Sequence, residues 1–257
     1  MKKEIGENGI TRRDLLSVAG KFAVGLGIAA AGVTSALPSA EAEKINLKQA
    51  EVEVPWKYKK IDPDKAAAIA YENWYKNFCA YASASGIIIP LRESVGGPYR
   101  SFPLLSVQFG EGGIEGWGTV CGTLLGASVA ISLVAEEKAK KKIINDLMNW
   151  YSTTLMPVYT PANPKATFKN KTVSESPLCH ISVGKWMKAE GVKLGSPERR
   201  DRCARLAASV SYQAAVMLNA WADGTYVPSY TGKQSDCGIT SQNNCTECHG
   251  SNIPASL

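Results

Sequence analysis

Seven cysteines, set against only two histidines in 257 residues, constrain this chain more than any other feature of its sequence. Intracellular proteins of this size carry fewer thiols, whereas disulfide scaffolds are much shorter and richer in cysteine. Three of the seven lie near the C-terminus, at positions 237, 245 and 248. The other four are isolated along the chain: Cys79, Cys121, Cys179 and Cys203. These nine residues carry most of what the sequence says about function.

The C-terminal cysteines include the motif Cys245-Thr246-Glu247-Cys248-His249, the C-x-x-C-H pattern of covalent c-type haem attachment. At this spacing two thiols can reach the two vinyl groups of one porphyrin while the following imidazole binds the iron. The alternatives are a loop disulfide between Cys245 and Cys248, or half of a zinc site, which would need further ligands nearby. The motif predicts haem c, with Cys245 and Cys248 as thioether attachments and His249 as the proximal iron ligand.

The sixth iron ligand has few candidates. No Met, His or Lys follows His249, and His180 is the other histidine of the chain. The remaining candidates are Met148, Met156, Met187 and Met217. His180 is favoured because it lies in the first turn of a predicted helix next to a cysteine, whereas the methionines recur at helical spacing with Leu and Val, as core residues do. We expect a bis-histidine, low-spin haem of low potential.

Residues 1–42 have the layout of an export signal. The pair Arg12-Arg13 precedes a weakly hydrophobic, Gly- and Ala-rich run over residues 18–36, and a small-x-small cleavage site ends the segment. Paired arginines are typical of the twin-arginine route. An uncleaved membrane anchor is the alternative, although the glycines make the run a poor one. We expect a mature chain that begins near Glu43 in the periplasm, with no stable membrane span after cleavage.

Helix start and stop signals predict a mainly α-helical, compact domain over residues 43–224. Asp or Ser followed by Pro begins three of the helices. The predicted helices span 63–84, which Gly86 ends, 117–134, 136–155, 177–190 and 197–222; the predicted loops span 87–115 and 157–175. Residues 225–257 are rich in Gly, Ser, Asn and Pro and are predicted to form an irregular haem-binding tail.

The net charge of +6 does not indicate nucleic-acid binding. The one dense basic run, residues 138–142, has Glu136 and Glu137 beside it, which is typical of a solvated helix start. We therefore expect no nucleic-acid partner. The haem motif predicts redox partner proteins instead, and the positive charge would weakly steer this chain toward an acidic surface of such a partner.

The four isolated cysteines fall in or at the edge of four separate predicted helices. Four thiols from four helices suit an iron–sulfur cluster, whose irons take thiolate ligands. Two disulfides, or buried thiols acting as small hydrophobic residues, explain the spacing equally well. Glycine within a helix costs about 0.5–1 kcal/mol relative to Ala. Gly122 and Gly126 therefore predict a close approach of the backbone to another helix or to a cofactor.

The order of these residues resembles a known family. A lone Cys79 in a first helix, a Cys-Gly-x-x-x-Gly stretch from Cys121, and single cysteines at 179 and 203 resemble the redox-active proteins named for their C, GCAxxG, C, C pattern. Together with the export signal and the C-terminal haem motif, the chain is similar over about residues 65–249 to the split-Soret cytochromes c.

That resemblance implies a helical homodimer with haems near the subunit interface and an iron–sulfur cluster, for which 2Fe–2S is one candidate type. It also implies bis-histidine ligation in which one ligand can come from the partner chain. Carried over residue by residue, it makes Cys79, Cys121, Cys179 and Cys203 cluster ligands, Cys245 and Cys248 thioether attachments, His249 the proximal iron ligand and His180 the distal one.

Two features depart from the family pattern. The glycine motif here is Val120-Cys121-Gly122 and not Gly-Cys-Ala. Split-Soret cytochromes c carry two haem motifs per chain, whereas this sequence has one; Cys237 begins a stretch that looks like a decayed second copy. A stacked haem pair within one subunit is therefore not expected.

Taken together, these features predict a periplasmic one-electron carrier that is not itself an enzyme. The alternative is a haem-dependent reductase, or a gas or redox sensor, in which the sixth ligand is open or displaceable. A third class, a disulfide-stabilised binding protein without cofactors, would be colourless.

Overall fold

The computed structural model describes residues 53–230 together with Ser241, Gly250 and Ser251. The α-helices of this part are α1 (Pro63–Ser94), α2 (Pro98–Ser101), α3 (Gly122–Val134), α4 (Glu137–Thr153), α5 (Cys179–Glu190) and α6 (Pro197–Ala222), and a 3-10 helix spans Leu104–Gly110. The predicted mainly α-helical fold class is confirmed. The export signal, Cys237 and the haem motif with Cys245, Cys248 and His249 lie outside the described residues.

Helix α1 begins as the sequence predicts but ends ten residues later than expected. Asp62 caps it by accepting a hydrogen bond from the backbone N–H of Asp64 at 2.9 Å. The helix continues past the predicted end at Ala84 as far as Ser94. Its backbone departs from helical geometry earlier, at Asn77 and Phe78.

The interruption reverses the chain, so that α1 consists of two antiparallel halves. Lys65 Nζ lies 2.6 Å from the carboxylate of Glu93. In a straight helix these residues, 28 apart in sequence, would be separated by about 42 Å. A second contact between the halves is the 2.9 Å hydrogen bond from Asn73 Nδ2 to Ser85 Oγ.

Gly86 does not end the helix, because its role is in packing. A Cβ at this position would lie 2.6 Å from the carbonyl oxygen of Ala66 in the first half of α1 and 2.7 Å from Ser211 Oγ in α6. The glycine therefore lets three helical segments approach each other inside the core.

The core lies between α1, α3, α4 and α6: α3 and α6 pack against α1, and α4 packs against α3 and α6. Its fully buried side chains include Ile87, Ile88, Leu91, Leu124, Ile131, Ile143, Leu147, Val210 and Leu218. A Cβ at Gly126 would lie 2.0 Å from the carbonyl oxygen of Ala80, and one at Gly122 would lie 2.8 Å from Cys79 Cβ. The close helix approach predicted from these two glycines is confirmed.

Two other predicted boundaries were wrong. Residues 117–121 are not helical, because Gly116 and Gly118 have φ of 83° and 75°, which a right-handed helix does not admit. Residues 87–115 are not one loop: they contain the end of α1, then α2 and the 3-10 helix. Helix α6 has the predicted bounds, and α5 begins two residues later than expected.

Among the helices of the described residues, none combines the length and apolar character that crossing a membrane requires.

Candidate metal centre

Three of the four isolated cysteines lie at the N-terminal ends of helical segments. Cys79 follows the break at Phe78, Cys121 is the N-cap of α3 and Cys179 is the first residue of α5, whereas Cys203 lies in the second turn of α6. Helix N-termini present free N–H groups and a positive dipole end, which favour a thiolate over a thiol. The sequence predicted this placement in four separate segments correctly.

A short antiparallel pairing brings Cys121 and Cys179 together. The N–H of Cys121 donates to Pro177 at 2.9 Å, and the N–H of Cys179 donates to Thr119 at 2.7 Å. The next residue, His180, donates to the carbonyl oxygen of Gly118 at 3.1 Å. Backbone hydrogen bonds between residues 118–121 and 177–180 thus fix two thiols and an imidazole relative to each other.

The loop over residues 111–118 wraps closely around these side chains. Four of its glycines have positive φ, as do Ile114 and Glu115. A Cβ at Gly113 would lie 2.9 Å from Cys179 Cβ, and one at Gly118 would lie 2.9 Å from His180 Cβ. Larger residues would push the loop away, which explains the density of glycine in this part of the sequence.

Cys79 is held by a strained backbone and two hydrogen-bond donors. The preceding Phe78 has φ 57° and ψ −157°, a conformation that L-residues avoid and that costs about 1–3 kcal/mol. Trp74 Nε1 donates to Cys79 Sγ at 3.3 Å, and the backbone N–H of Gly112 also points to this sulfur. Strain at Phe78 is a feature that clusters at functional sites.

The four thiols lie close enough to influence one another's ionisation. Hydrogen bonding from the Cys179 thiol lowers the pKa of Cys121 to about 6, and the same interaction raises the pKa of Cys179. Burial, together with the neighbouring Cys203 and Cys121, raises the pKa of Cys79 to about 12. None of the four forms a disulfide. Cys121 also raises the pKa of Cys79, and both Cys203 and Cys79 raise the pKa of Cys179, so all four thiols are neighbours.

The described residues contain no group of three or more His, Cys, Asp or Glu side chains arranged to hold a metal ion. A two-iron cluster makes a different demand, because each of its irons takes two thiolates and the bridging sulfides complete the coordination. Four neighbouring cysteines supply that number of thiolates.

An apolar cavity of about 510 Å³ opens beside the cysteines. Cys79, Cys179 and Cys203 line it together with His180, whereas Cys121 does not. The rim carries Trp117, whose side chain is 83 % exposed. A cavity of this volume can bury much of a cofactor-sized ligand.

The candidates for the sixth iron ligand differ in accessibility. His180 is exposed and lines the cavity. Met187, about two helical turns further along α5, lines the same cavity. Met156 and Met217 are buried in the core, and Met148 packs against it.

The C-terminal segment contacts the site at Ser241. Ser176 Oγ donates a 2.5 Å hydrogen bond to the carbonyl oxygen of Ser241 and also accepts one from the N–H of Leu178. Ser241 therefore lies at the start of α5, next to the turn that holds Cys179 and His180.

A buried polar network behind Cys121 was missed by the sequence analysis. Tyr151 Oη and Arg202 Nη2 each donate to Ser182 Oγ at 2.8 Å, and the Tyr151 hydroxyl also reaches the Cys121 thiol. A signal existed for Arg202, because it stands four residues before Leu206 and so falls on the buried face of α6.

Residues 81–217 match the family described as "Putative redox-active protein (C_GCAxxG_C_C)". The matched range includes Cys121, Cys179 and Cys203 and begins two residues after Cys79. The chain is 34 % identical over 248 residues to split-Soret cytochrome c from Desulfovibrio desulfuricans, which covers 93 % of this chain and 87 % of that relative.

The fold is also similar to a solved structure that describes a novel iron centre in the split-Soret cytochrome c of Desulfovibrio desulfuricans. The TM-score is 0.67 at 33 % identity, over 76 % of this chain and 81 % of the other. The chain therefore belongs to the C_GCAxxG_C_C family of redox-active proteins, in the branch of the split-Soret cytochromes c.

Proposed function

We propose that this chain is a periplasmic electron-transfer protein that carries one covalent c-type haem and a two-iron iron–sulfur cluster. The observation that carries the proposal is the adjacency of Cys179 and His180 in the first turn of α5, where one belongs to the four-cysteine site and the other lines the same cavity. A cluster ligand and a haem ligand on consecutive residues would be about 3.8 Å apart at Cα.

For the cluster, the hydrogen bond between the Cys121 and Cys179 thiols supports the following division of the ligands. Cys121 and Cys179 would bind one iron, and Cys79 and Cys203 the other. Such a cluster supplies storage of one electron. Hydrogen bonds from Trp74 and the N–H of Gly112 to the Cys79 sulfur offset negative charge on that ligand.

For the haem, the C-terminal segment supplies the attachment and α5 supplies the sixth ligand. Cys245 is four residues beyond Ser241, so it can lie at most about 14 Å from the hydrogen bond to Ser176. His180 is therefore within reach of a haem bound to its own chain, and it is accessible where Met156 and Met217 are not. Its exposed position also leaves it available to a haem on a partner chain.

A second copy of the chain is the partner we infer for the exposed apolar surface near this site. Leu105, Phe109, Ile114 and Trp117 are 61 %, 47 %, 42 % and 83 % exposed, all within one segment. Exposed apolar residues concentrated in one segment are typical of an interaction surface. A homodimer would place this segment, and the haem next to it, at the interface, and light scattering of the mature protein would detect it.

The decisive measurement is optical and EPR spectroscopy of the purified exported protein, with iron and acid-labile sulfide per chain. The proposal expects a low-spin haem, two irons beyond the haem iron and two sulfides. Iron without sulfide would leave a plain cytochrome and refute the cluster. A high-spin ferric haem would favour the reductase or sensor instead.

Two matched variants test the sixth ligand. His180→Ala removes the proposed ligand, and Met187→Leu removes the other accessible candidate on the same helix at nearly constant volume. We expect a high-spin spectrum in the first and an unchanged spectrum in the second; the reverse pattern would assign Met187.

N-terminal sequencing of the exported protein tests the location. A start near Glu43 supports twin-arginine export. An intact Met1 on soluble exported protein contradicts it.

A further inference from the structure

Arg202 is a buried cation without a carboxylate partner. Its side chain is completely buried, and Nη2 donates to the carbonyl oxygen and to Oγ of Ser182 at 3.3 and 2.8 Å. Nε and Nη1 have no oxygen acceptor among the described residues, and a further partner of the guanidinium is the thiol of the adjacent Cys203. A buried guanidinium carries a large desolvation penalty unless an anion or a full set of acceptors compensates it, so this arrangement is incomplete as it stands.

The same helix treats its other buried arginine differently. Arg205, three residues further on, is mostly buried and forms a 2.6 Å ion pair with Asp201. The same nitrogen, Nη2, also donates to the carbonyl oxygen of Ala166 at 2.8 Å, and Nε donates to Asp201 at 2.7 Å. Helix α6 thus supplies a counter-ion where a structural arginine is buried, and the described residues supply none to Arg202.

Thiolates are the anions that the groups around Arg202 can supply as its partner. Ser182 is neutral, and the ring of Trp186 lies 5.9 Å from the guanidinium carbon. The remaining neighbours are Tyr151, whose pKa burial raises well above its usual value, and the thiols of Cys203 and Cys121. The guanidinium therefore lies next to the four-cysteine site.

We infer that Arg202 is the charge-compensating residue of the four-cysteine site, where its guanidinium balances the negative charge of a bound cluster. The inference rests on the proposed function. Four thiolates and two sulfides outweigh the charge of two irons, and the excess negative charge grows by one when the cluster takes up an electron. A fixed cation in a low-dielectric surrounding stabilises the reduced state more than the oxidised state, and so raises the reduction potential.

Ser182 and Tyr151 position this cation. Ser182 accepts from both Arg202 and Tyr151, and the Tyr151 hydroxyl also reaches Cys121. The network ties the guanidinium of α6 to the N-cap of α3, so the charge is fixed with respect to the ligands and needs no rearrangement when an electron arrives.

The test compares three variants of the full mature protein with its cofactors. Arg202→Gln removes the charge but keeps donors for Ser182, Arg202→Lys keeps the charge, and Arg200→Gln removes an exposed arginine from the same helix as the control. The readouts are the cluster potential in an EPR-monitored redox titration and the rate at which a chelator removes the cluster iron.

We expect Arg202→Gln to shift the potential to a lower value and to lose cluster iron at least about tenfold faster. Arg202→Lys should stay near the wild-type potential, and the Arg200→Gln control should not differ from wild type. A wild-type potential in Arg202→Gln would overturn the inference while leaving the proposed function intact. A wild-type protein without acid-labile sulfide would overturn both.

The metal-free chain separates charge compensation from a structural role. Without the cluster, Arg202→Gln removes an uncompensated buried charge, so its unfolding midpoint should equal or exceed that of the wild type. A structural arginine predicts a loss of stability in both the metal-free and the loaded protein. Failure of the metal-free Arg202→Gln chain to fold would likewise overturn the inference.

Discussion

Substituting Gly126 by Ala tests the close helix contact on which the cysteine site depends. Gly126 lies in the second turn of α3, and a Cβ there would be 2.0 Å from the carbonyl oxygen of Ala80 and 2.4 Å from Ser83 Oγ. The nearer atom belongs to the backbone of α1 and cannot rotate away. Since real Cβ contacts do not fall below 3.0 Å, the two helices have to separate by about 1 Å.

The expected loss follows from two opposing effects. Alanine in place of glycine gains about 1 kcal/mol in a helix interior. Overpacking a core by a rigid methyl costs about 1–3 kcal/mol, and contact with a backbone atom places Gly126→Ala at the upper end of that range. We expect a net destabilisation of about 1–2 kcal/mol, or a fall in Tm of roughly 2–8 °C for a chain of this length.

Gly184 provides the matched control. It also lies inside a helix, α5, but a Cβ there would meet nothing within 4 Å. Gly184→Ala should therefore stabilise the chain by about 0.5–1 kcal/mol. Urea unfolding of the metal-free mature chain measures both variants. Equal or greater stability of Gly126→Ala relative to Gly184→Ala would refute the close contact.

The contact also bears on the site, because α3 begins directly after Cys121. A shift of α3 away from α1 would move the Cys121 thiol relative to Cys79 by a similar distance. Gly126→Ala protein should therefore retain less cluster iron than Gly184→Ala protein purified in parallel.

Two further changes have defined outcomes. The free energy of unfolding of the metal-free, reduced chain should fall as the pH decreases from about 8 to about 6, because the lowered pKa of Cys121 means that the folded chain binds fewer protons than the unfolded chain in this window, where the thiols of Cys79 and Cys179 are protonated in both states. Cys121→Ser should flatten this dependence, and a stability that rises toward pH 6 would contradict it. Asp146→Asn should destabilise the chain by about 1–3 kcal/mol, because the buried carboxylate of Asp146 accepts hydrogen bonds from the N–H groups of Ser229 and Tyr230. Limited proteolysis of the variant should then cut more readily near Tyr230. An unchanged cleavage pattern would contradict this anchoring role of Asp146.

Local signals predicted the elements whose ends are set by local chemistry. Helix α6 matches its prediction because Ser196 caps it by accepting from the N–H of Arg199 and Pro197 occupies its first position. The end of α1 could not be predicted in this way. A glycine commonly ends a helix, and nothing local reveals that Gly86 instead admits the backbone of Ala66 and the side chain of Ser211.

The composition of the cysteine site was predictable, but its arrangement was not. Residue type and placement at helix ends identified the four thiols and His180. The pairing of Cys121 with Cys179 depends on hydrogen bonds between segments 58 residues apart, and both segments read as helix starts in the sequence. The role of Arg202 could not be predicted from the sequence either. Its position on α6 indicates that it is buried, but only the absence of a carboxylate around it, among the described residues, points to an anionic partner. Long-range contacts therefore turn a list of plausible ligands into a group of neighbouring thiols with a buried cation beside it.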